Sequence, residues 1–333
     1  MTVLIAGDVG GTKTNLGIFF LEKGPRTPVR EATFKSADYS SLQEICAEFL
    51  SSADATVSHG VFGVAGPVSG SRATITNLPW VIEADEVSSD LSLANATLLN
   101  DLEAIAYGID ILEQGDLHVL TSSDAQPHGP RAVIAPGTGL GEAYLTWDGS
   151  RYRAYPSEGG HADFAPRNEK EIALLSYLLK RFDHVSYERV CSGSGIPLLY
   201  DFLKDEHYCD EPAWLAQQLA GAQDKTAIIV PAALDEENSP EICRETLDLF
   251  LSILGAEAGN LTLKLLATGG VYLGGGILPR ILPTFLKSSF LDSFLNKGRL
   301  SHVLERIPIS VILNPSVALM GAARYGLEMI ENS

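Results

Sequence analysis

The sequence predicts an α/β protein built of two domains. Three observations carry that prediction. The chain has 333 residues, more than a single hydrophobic core ordinarily serves. Short apolar runs that read as strands alternate with segments whose apolar residues recur at helical spacing. A strand, glycine turn, strand pattern near the N-terminus returns beyond residue 130.

Residues 2–7 read as a buried strand, Asp8-Val9-Gly10-Gly11-Thr12 as a tight turn, and 14–20 as the returning strand. A third strand is expected at 31–35. A helix follows over 40–51, because Leu42, Ile45, Cys46, Phe49 and Leu50 fall on one face. Residues 57–64 form another apolar strand, ended by Ala65-Gly66-Pro67. The run 96–99 is a short strand closed by Asn100-Asp101, at the mouth of a helix to about residue 112. The plan then restarts: strand 132–135, turn 136–141, strand 143–147. VLIAGDVGGTKTNLGIF and AVIAPGTGLGEAYLTW therefore read as two copies of one hairpin whose turn faces a ligand.

The second half is richer in helix. Residues 196–203 read as one. Ser239-Pro240 supplies an N-cap and a first helical residue for a long helix towards residue 266. A strand at 271–273 leads into a glycine turn, and Pro279 opens a helix. A last strand covers 308–313, and Asn314-Pro315-Ser316 caps a C-terminal helix to about 330. The expected partition is a small domain of residues 1–111 plus 314–333 and a large domain of 112–313.

Composition narrows the function classes. The chain carries 42 acidic and 24 basic residues, a formal charge of −18. Such a surface repels nucleic-acid backbones and anionic headgroups. Any phosphate ligand must then be held by backbone N–H groups, Mg²⁺ and local geometry. Cys46, Cys191, Cys209 and Cys243 form no CxxC pair and no zinc spacing, so they read as reduced thiols. No signal peptide and no membrane-length apolar run is expected, and a cytoplasmic protein is the default.

Six segments can carry chemistry. In Asp8–Thr14, glycines let backbone N–H groups approach a phosphate and tolerate positive φ. A carboxylate ending the first strand can hold Mg²⁺ directly or through water. Taken alone the segment is equally a plain glycine hairpin, and it is no Walker A loop. Pro136-Gly137-Thr138-Gly139-Leu140-Gly141 repeats the device. Asn100-Asp101 ends a buried strand, the usual place for a catalytic group in an α/β domain, though an N-cap aspartate would look the same. Glu158-Gly159-Gly160-His161 brings a carboxylate and an imidazole into one turn, where they could take vicinal sugar hydroxyls. Glu188, ahead of Cys191-Ser192-Gly193-Ser194-Gly195, is by itself as readily a surface residue. Gly269–Gly276 holds a glycine turn that could lie flat against adenine or ribose, or could serve close helix–strand packing.

Together and in this order, these segments resemble the bacterial glucokinase family of the hexokinase-type, actin-like ATPases. The resemblance runs through DVGGTKTNLGIF, ITNLPW with Asn77, LLNDLEAIAYGI, APGTGLGEAYL, EGGHADFAP, YERVCSGSG and GGVYLGGGILPR. It implies a two-domain actin-like ATPase (ribonuclease H-like) fold with a cleft between a small and a large domain. It also implies ATP-dependent phosphorylation of D-glucose at the 6-hydroxyl. Asp101 would be the general base. Asn77, Asn100, Glu158, His161 and Glu188 would bind sugar hydroxyls. Asp8 would position Mg²⁺. Gly10, Gly11, Thr12, Gly137, Thr138 and Gly139 would line the phosphates of ATP, and Gly275 and Gly276 the adenosine. A homodimer is the expected assembly, with no nucleic-acid or membrane partner.

Some residues depart from the family pattern. Lys13-Thr14 stands where some members have Asn-Ala or Asn-Arg, and Ser-Gly-Ser-Gly at 192–195 where Ser-Gly-Pro-Gly is common. Phe164-Ala165-Pro166 replaces the cysteine-rich zinc loop of the related repressor/ORF/kinase group, so no zinc is expected. Three alternatives remain at this point: a kinase for mannose, fructose or an N-acetylated hexosamine, a sugar-sensing regulator, and an actin-like structural ATPase. A first strand from residue 2 would leave no room ahead of it for the regulator's helix-turn-helix.

Overall fold

A computed structural model describes residues 3–52, 56–76, 78–121, 123 and 125–331. In chain order the first elements are β1 (Val3–Val9), β2 (Lys13–Phe20), β3 (Arg30–Lys35), α1 (Leu42–Ser51), β4 (His59–Val64), β5 (Val68–Ser69), β6 (Arg72–Thr74), β7 (Val81–Glu83), α2 (Ala84–Asp90), β8 (Asn95–Asn100) and α3 (Asp101–Gly108). There follow β9 (Leu117–Thr121), β10 (Arg131–Pro136), β11 (Leu140–Trp147), β12 (Tyr152–Ser157), α4 (Glu169–Leu179), α5 (Tyr187–Val190), α6 (Ile196–Asp205), α7 (Ala213–Ala220), α8 (Thr226–Leu234) and α9 (Glu241–Leu265). The chain closes with β13 (Gly270–Leu273), α10 (Leu282–Phe285), α11 (Phe290–Leu295), α12 (Ser301–Leu304), β14 (Ile309–Ile312) and α13 (Val317–Glu331).

The chain divides into two compact units, residues 1–118, 143–156 and 312–333 in one, 119–142 and 157–311 in the other. The first unit holds a five-stranded sheet in the order β3-β2-β1-β4-β8. β1 and β2 are antiparallel, whereas β1, β4 and β8 run parallel. A central strand of this kind is buried on both faces, which is why residues 3–7 are almost uninterrupted apolar sequence. Its alternation sorts them: Val3, Ile5 and Val9 pack with α1 residues Leu42, Ile45 and Phe49, and Leu4 and Ala6 pack with α13 residues Leu319, Ala322 and Leu327. Phe62 on β4 is fully buried, a contribution of about 1.5–3 kcal/mol from removed apolar area. α1 starts as its sequence requires, with the Ser41 hydroxyl accepting from Glu44 N.

α3 lies close against β4 and α13. A Cβ on Gly63 would stand 2.8 Å from Ala104 Cβ, and one on Gly321 would stand 1.8 Å from the Ala104 carbonyl oxygen. The segment 68–83 adds a three-stranded ribbon, β5-β6-β7, which the sequence pattern does not predict.

The second sheet has the order β12-β11-β10-β13-β14-β9. Its first five strands repeat the order of the first sheet: a hairpin strand in the middle, its two successors on one side, and parallel strands on the other (β10 with β13, β13 with β14). The two-hairpin repeat read from the sequence is therefore a repeat of whole sheets. The core of the second unit is built on α9, whose Leu247, Phe250, Leu251 and Leu254 are fully buried. Gly255 and Gly259 admit the backbone of α11: Cβ atoms there would approach the carbonyl oxygens of Phe290 and Phe294 to 2.2 and 2.6 Å.

Two helix starts differ from expectation. Pro240 occupies the N-cap position of α9 and not the first helical residue, because the Ser239 hydroxyl donates to the Ala233 carbonyl and leaves the cap to extended backbone. Pro279 opens a short 3-10 turn over Leu278–Ile281, not a full helix. A second proline, Pro283, follows within four residues and removes another N–H from the ladder.

Candidate active site

In the first unit the register sets the chemistry. Asp8 pairs with Gly63 across the parallel ladder, and Val64 pairs with Asn100. The carboxyl ends of β1, β4 and β8 thus form one edge, where ligands of open α/β sheets bind. Asp8 follows Leu4 and Ala6 in the strand's alternation, so it belongs to the face that α3 covers, and Asp101 is the first residue of that helix.

Each group here is anchored. The Asp8 carboxylate accepts from Asn15 Nδ2 at 3.0 Å, and Asn15 Oδ1 accepts from the Thr33 hydroxyl at 2.9 Å. Burial holds the Asp8 carboxyl above the usual carboxylate range, against the opposing pull of Asn15 and Lys13. A group so placed gains from a neighbouring cation. Among the described residues no set of three or more His, Cys, Asp or Glu side chains could cage a metal by itself. A Mg²⁺ at Asp8 would take most of its ligands from water and phosphate, as this ion prefers.

Asn100 is the N-cap of α3: its Oδ1 accepts from Leu102 N at 3.0 Å, and its Nδ2 donates to the Gly66 carbonyl at 3.2 Å. Asp101 is half-buried, and one of its oxygens accepts from Leu102 N at 3.0 Å. Close by in the same helix, burial pushes Glu103 up to about 6.

The first glycine turn is closed by Gly10 N donating to the Lys13 carbonyl at 3.0 Å. Ser36, which no sequence signal marks, holds the turn from outside: its hydroxyl donates to the Gly10 carbonyl at 2.7 Å, and its N–H donates to the Thr12 carbonyl at 3.1 Å. Thr14 is buried, 3.0 Å from the same hydroxyl. Asn77 lies outside the described residues.

In the second unit three segments meet. Gly137 N donates to the Gly139 carbonyl across the second glycine turn, while Gly193 N and Ser194 N donate to the carbonyls of Gly137 and Thr138 at 2.8 and 3.2 Å. The small residues at 192–195 therefore clasp that turn, besides leading into α6. Glu188 Oε2 accepts from Leu140 N at 3.0 Å, and a Cβ on Gly139 would stand 2.4 Å from that oxygen. Glu188 Oε1 lies 4.0 Å from His161 Nδ1, and His161 Nε2 lies 3.8 Å from Glu158 Oε2. Glu158 and His161 present exposed side chains, at 72% and 59%. Gly160 is pressed on the Leu140 carbonyl, 2.1 Å from where its Cβ would be. Glu158, His161, Glu188 and Gly137–Gly139 are thus brought together.

Gly275 joins them through Pro136, whose carbonyl oxygen would lie 2.3 Å from a Cβ on Gly275. Its φ of +83° is the left-handed conformation that glycine tolerates. Gly10, Gly11, Gly137 and Gly139 do not use positive φ. At Gly139 there is instead a need for space beside Glu188, 2.4 Å from where a Cβ would stand, and positive φ plays no part. A Cβ on Gly276 would meet no heavy atom within 4 Å, so this glycine faces open space. A separate cleft of about 490 Å³ lies between the end of α8, the start of α9 and α10, lined by Arg244, Arg280 and Lys287 among others, and contains none of these residues.

Comparison with known proteins accords with this arrangement. The glucokinase family model matches residues 5–329. A glucokinase of Nostoc punctiforme is 44% identical over 97% of this chain and 98% of its own length. The crystal structure of a glucokinase from an Antarctic psychrotroph superimposes with a TM-score of 0.83 at 31% identity, covering all of both chains. A ROK family glucokinase from Streptomyces griseus, solved with glucose and AMPPNP, shares the fold at a TM-score of 0.65 and 19% identity, over 98% of this chain and 99% of its own. The chain belongs to the glucokinase family and is an enzyme of that family with the actin-like ATPase fold. Among the described residues no helix is long and apolar enough to cross a membrane.

Proposed function

We propose that this glucokinase-family enzyme transfers the γ-phosphoryl group of ATP to the 6-hydroxyl of D-glucose, giving glucose 6-phosphate and ADP. The observation that carries the reading is the double engagement of Glu188. One of its oxygens fastens the second glycine turn at Leu140 N, and the other faces His161 of the sugar-side turn. A single carboxylate thereby couples the segment suited to phosphate with the segment suited to hydroxyls.

In this reading Asn77, Asn100, Glu158, His161 and Glu188 bind the sugar hydroxyls. Backbone N–H groups at Gly10, Gly11, Thr12, Gly137, Thr138 and Gly139 receive the phosphates, and Gly275 and Gly276 receive the adenosine. Asp8 would hold Mg²⁺ through water, and the bound ion would neutralise charge on the phosphates. Asp101 accepts the proton of O6 as O6 bonds to the γ-phosphorus and the bond from that phosphorus to the β-phosphate oxygen breaks. Phosphoryl transfer asks little else of the protein than positioning and charge stabilisation. A carboxylate of ordinary basicity, ionised at neutral pH, suffices as acceptor. Support for Asp101 comes from its place at the carboxyl end of β8, opening α3 on the Asp8 face.

The test is a coupled assay with ATP and Mg²⁺ over glucose, mannose, fructose and N-acetylated hexosamines, followed by NMR of the product. Glucose is expected to give the highest kcat/KM, with phosphate on O6. A higher kcat/KM for another hexose, or no phosphosugar from any, would overturn the reading.

A further inference from the structure

β11 carries an acidic residue where its neighbours are apolar. Glu142 lies between Leu140 and Ala143 and is 1% exposed. Its Oε1 has no hydrogen-bond partner. Its Oε2 occupies the space a side chain at Gly159 would need: a Cβ there would be 1.9 Å from that oxygen and 2.8 Å from Glu142 Cδ. Gly159 is the residue between Glu158 and the Gly160-His161 step of the sugar-side turn. The turn therefore rests on this carboxyl group from one side, while Gly160 rests on the Leu140 carbonyl.

We propose that Glu142 is a positioning residue for sugar binding, its carboxyl group acting through Gly159 to set the placement of Glu158 and His161. The inference rests on the reading of that turn as the glucose-binding segment.

The chemistry around Glu142 decides which form does this. From α9 it faces Glu257, which is 0% exposed and whose Oε1 has no hydrogen-bond partner. The other Glu257 oxygen accepts from Asn260 Nδ2 at 2.9 Å, and Lys264 Nζ lies 3.6 Å from Oε1. Lys297 Nζ donates to Asn260 Oδ1 at 2.6 Å, and the Tyr187 hydroxyl accepts from Asn260 Nδ2 at 3.0 Å. The buried Cys191 thiol senses both glutamates. Arg167 is occupied by Glu171. Two dehydrated carboxyl groups in one site do not both ionise. Burial raises the Glu257 carboxyl too, but Asn260, Lys264 and the Tyr187 hydroxyl oppose this and support its charge; Glu142 has none of them as a hydrogen-bond partner. Burial first, and Glu257 second, push Glu142 up to about 8, against Lys264. At neutral pH Glu142 is accordingly a neutral acid. Above about 8 it ionises, adds a second negative charge beside Glu257, and disturbs the support under Gly159.

The sign follows from linkage. The folded chain retains a proton on Glu142 that the unfolded chain releases in the ordinary carboxyl range, so stability falls as pH rises from there to about 8 and then levels. The experiment measures kcat and glucose KM of the wild type, Glu142→Gln and Glu257→Gln from about pH 6 to about pH 9, together with thermal midpoints. The wild type is expected to raise its glucose KM about threefold or more above about pH 8, with kcat changing less, as expected for lost ground-state positioning. Glu142→Gln, neutral and of the same shape, should match the wild-type KM near about pH 6.5 and show no alkaline rise. Its midpoint should exceed that of the wild type by more at alkaline than at acid pH. Glu257→Gln removes the like charge and should move the wild-type break to lower pH, which serves even if one variant folds poorly. Phosphorylation of glucose with a pH-independent KM, or an alkaline rise retained in Glu142→Gln, overturns the proposal alone. No phosphorylation of glucose at any pH overturns the underlying reading with it.

Discussion

The two glycine turns occupy equivalent places in two sheets of one strand order, and they are secured by different means. The first turn is pinned by a neutral hydroxyl, Ser36, through its bond to the Gly10 carbonyl. The second is gripped by the Glu188 carboxylate at Leu140 N and by two backbone N–H groups at 193 and 194. Behind it lies the buried pair Glu142 and Glu257. A duplicated frame has thus divided its labour. The first unit places the carboxylates of Asp8 and Asp101 on a strand edge, the former bonded to Asn15, whereas the second ties its phosphate-type loop to its hydroxyl-type turn through Glu188. A change at Asp101 should therefore separate turnover from sugar affinity, and a change at Glu188 should alter the response to both substrates together.

The strongest response is expected in the first unit. Asp101→Ala should lower kcat by ~10²–10⁴-fold, the range for removal of a general base, measured by steady-state kinetics. Turnover within a few-fold of wild type would take Asp101 out of that role.

Next comes the coupling residue of the second unit. Glu188→Ala strips Leu140 N of its acceptor, a loss of about 1–3 kcal/mol for a buried donor left unpaired. Glucose KM should rise about 10-fold, the equivalent of ~1.4 kcal/mol, and ATP KM should rise with it. A rise for glucose alone would mean that the two segments of the second unit act separately.

Gly139→Ala should reproduce that phenotype more weakly, because its Cβ would displace the Glu188 carboxylate and not backbone. Gly137→Ala meets no atom within 4 Å and should leave the thermal midpoint unchanged. Equal midpoints for the two alanine variants, with no change in glucose KM for Gly139→Ala, would show that the 2.4 Å approach carries no consequence.

The mildest change belongs to Ser36→Ala, which removes the hydroxyl's bonds to the Gly10 carbonyl and to Thr14, together about 1 kcal/mol net. A fall of ~2–4 °C in thermal midpoint is expected, with glucose KM unaltered. An altered glucose KM would mean that the two turns are not independently supported.

Much of this arrangement is legible in the sequence. Both hairpins, β4, β8, α1 and α9 announce themselves as apolar runs bounded by glycine or by a capping residue, since burial and turn chemistry act on the same few residues. β5 to β7 do not, because strands of two or three residues hold no period. β12 is hidden for a related reason: in YRAYPS only Tyr152 and Ala154 are buried, and Pro156 argues against a strand. Glu158, His161 and Glu188 stand out by residue type and order, yet the group that fastens Glu188 to the second glycine turn, the Leu140 N–H, is a backbone group and leaves no mark in the sequence. Ser36 carries no signal, being one serine among many. Glu142 does carry one, an acidic residue directly behind Gly141 inside an apolar run. A strand expected only from residue 143 leaves it out.

The central distinction of the proposed function is that Asp101 of the first unit accepts the proton, while Glu158, His161 and Glu188 of the second bind the sugar with Asn77 and Asn100 of the first. Calorimetric titration of glucose into Asp101→Ala tests it most directly. A dissociation constant within a few-fold of wild type is expected, in a protein that has lost its turnover. Loss of glucose binding in that variant, to the extent seen in Glu188→Ala, would contradict it.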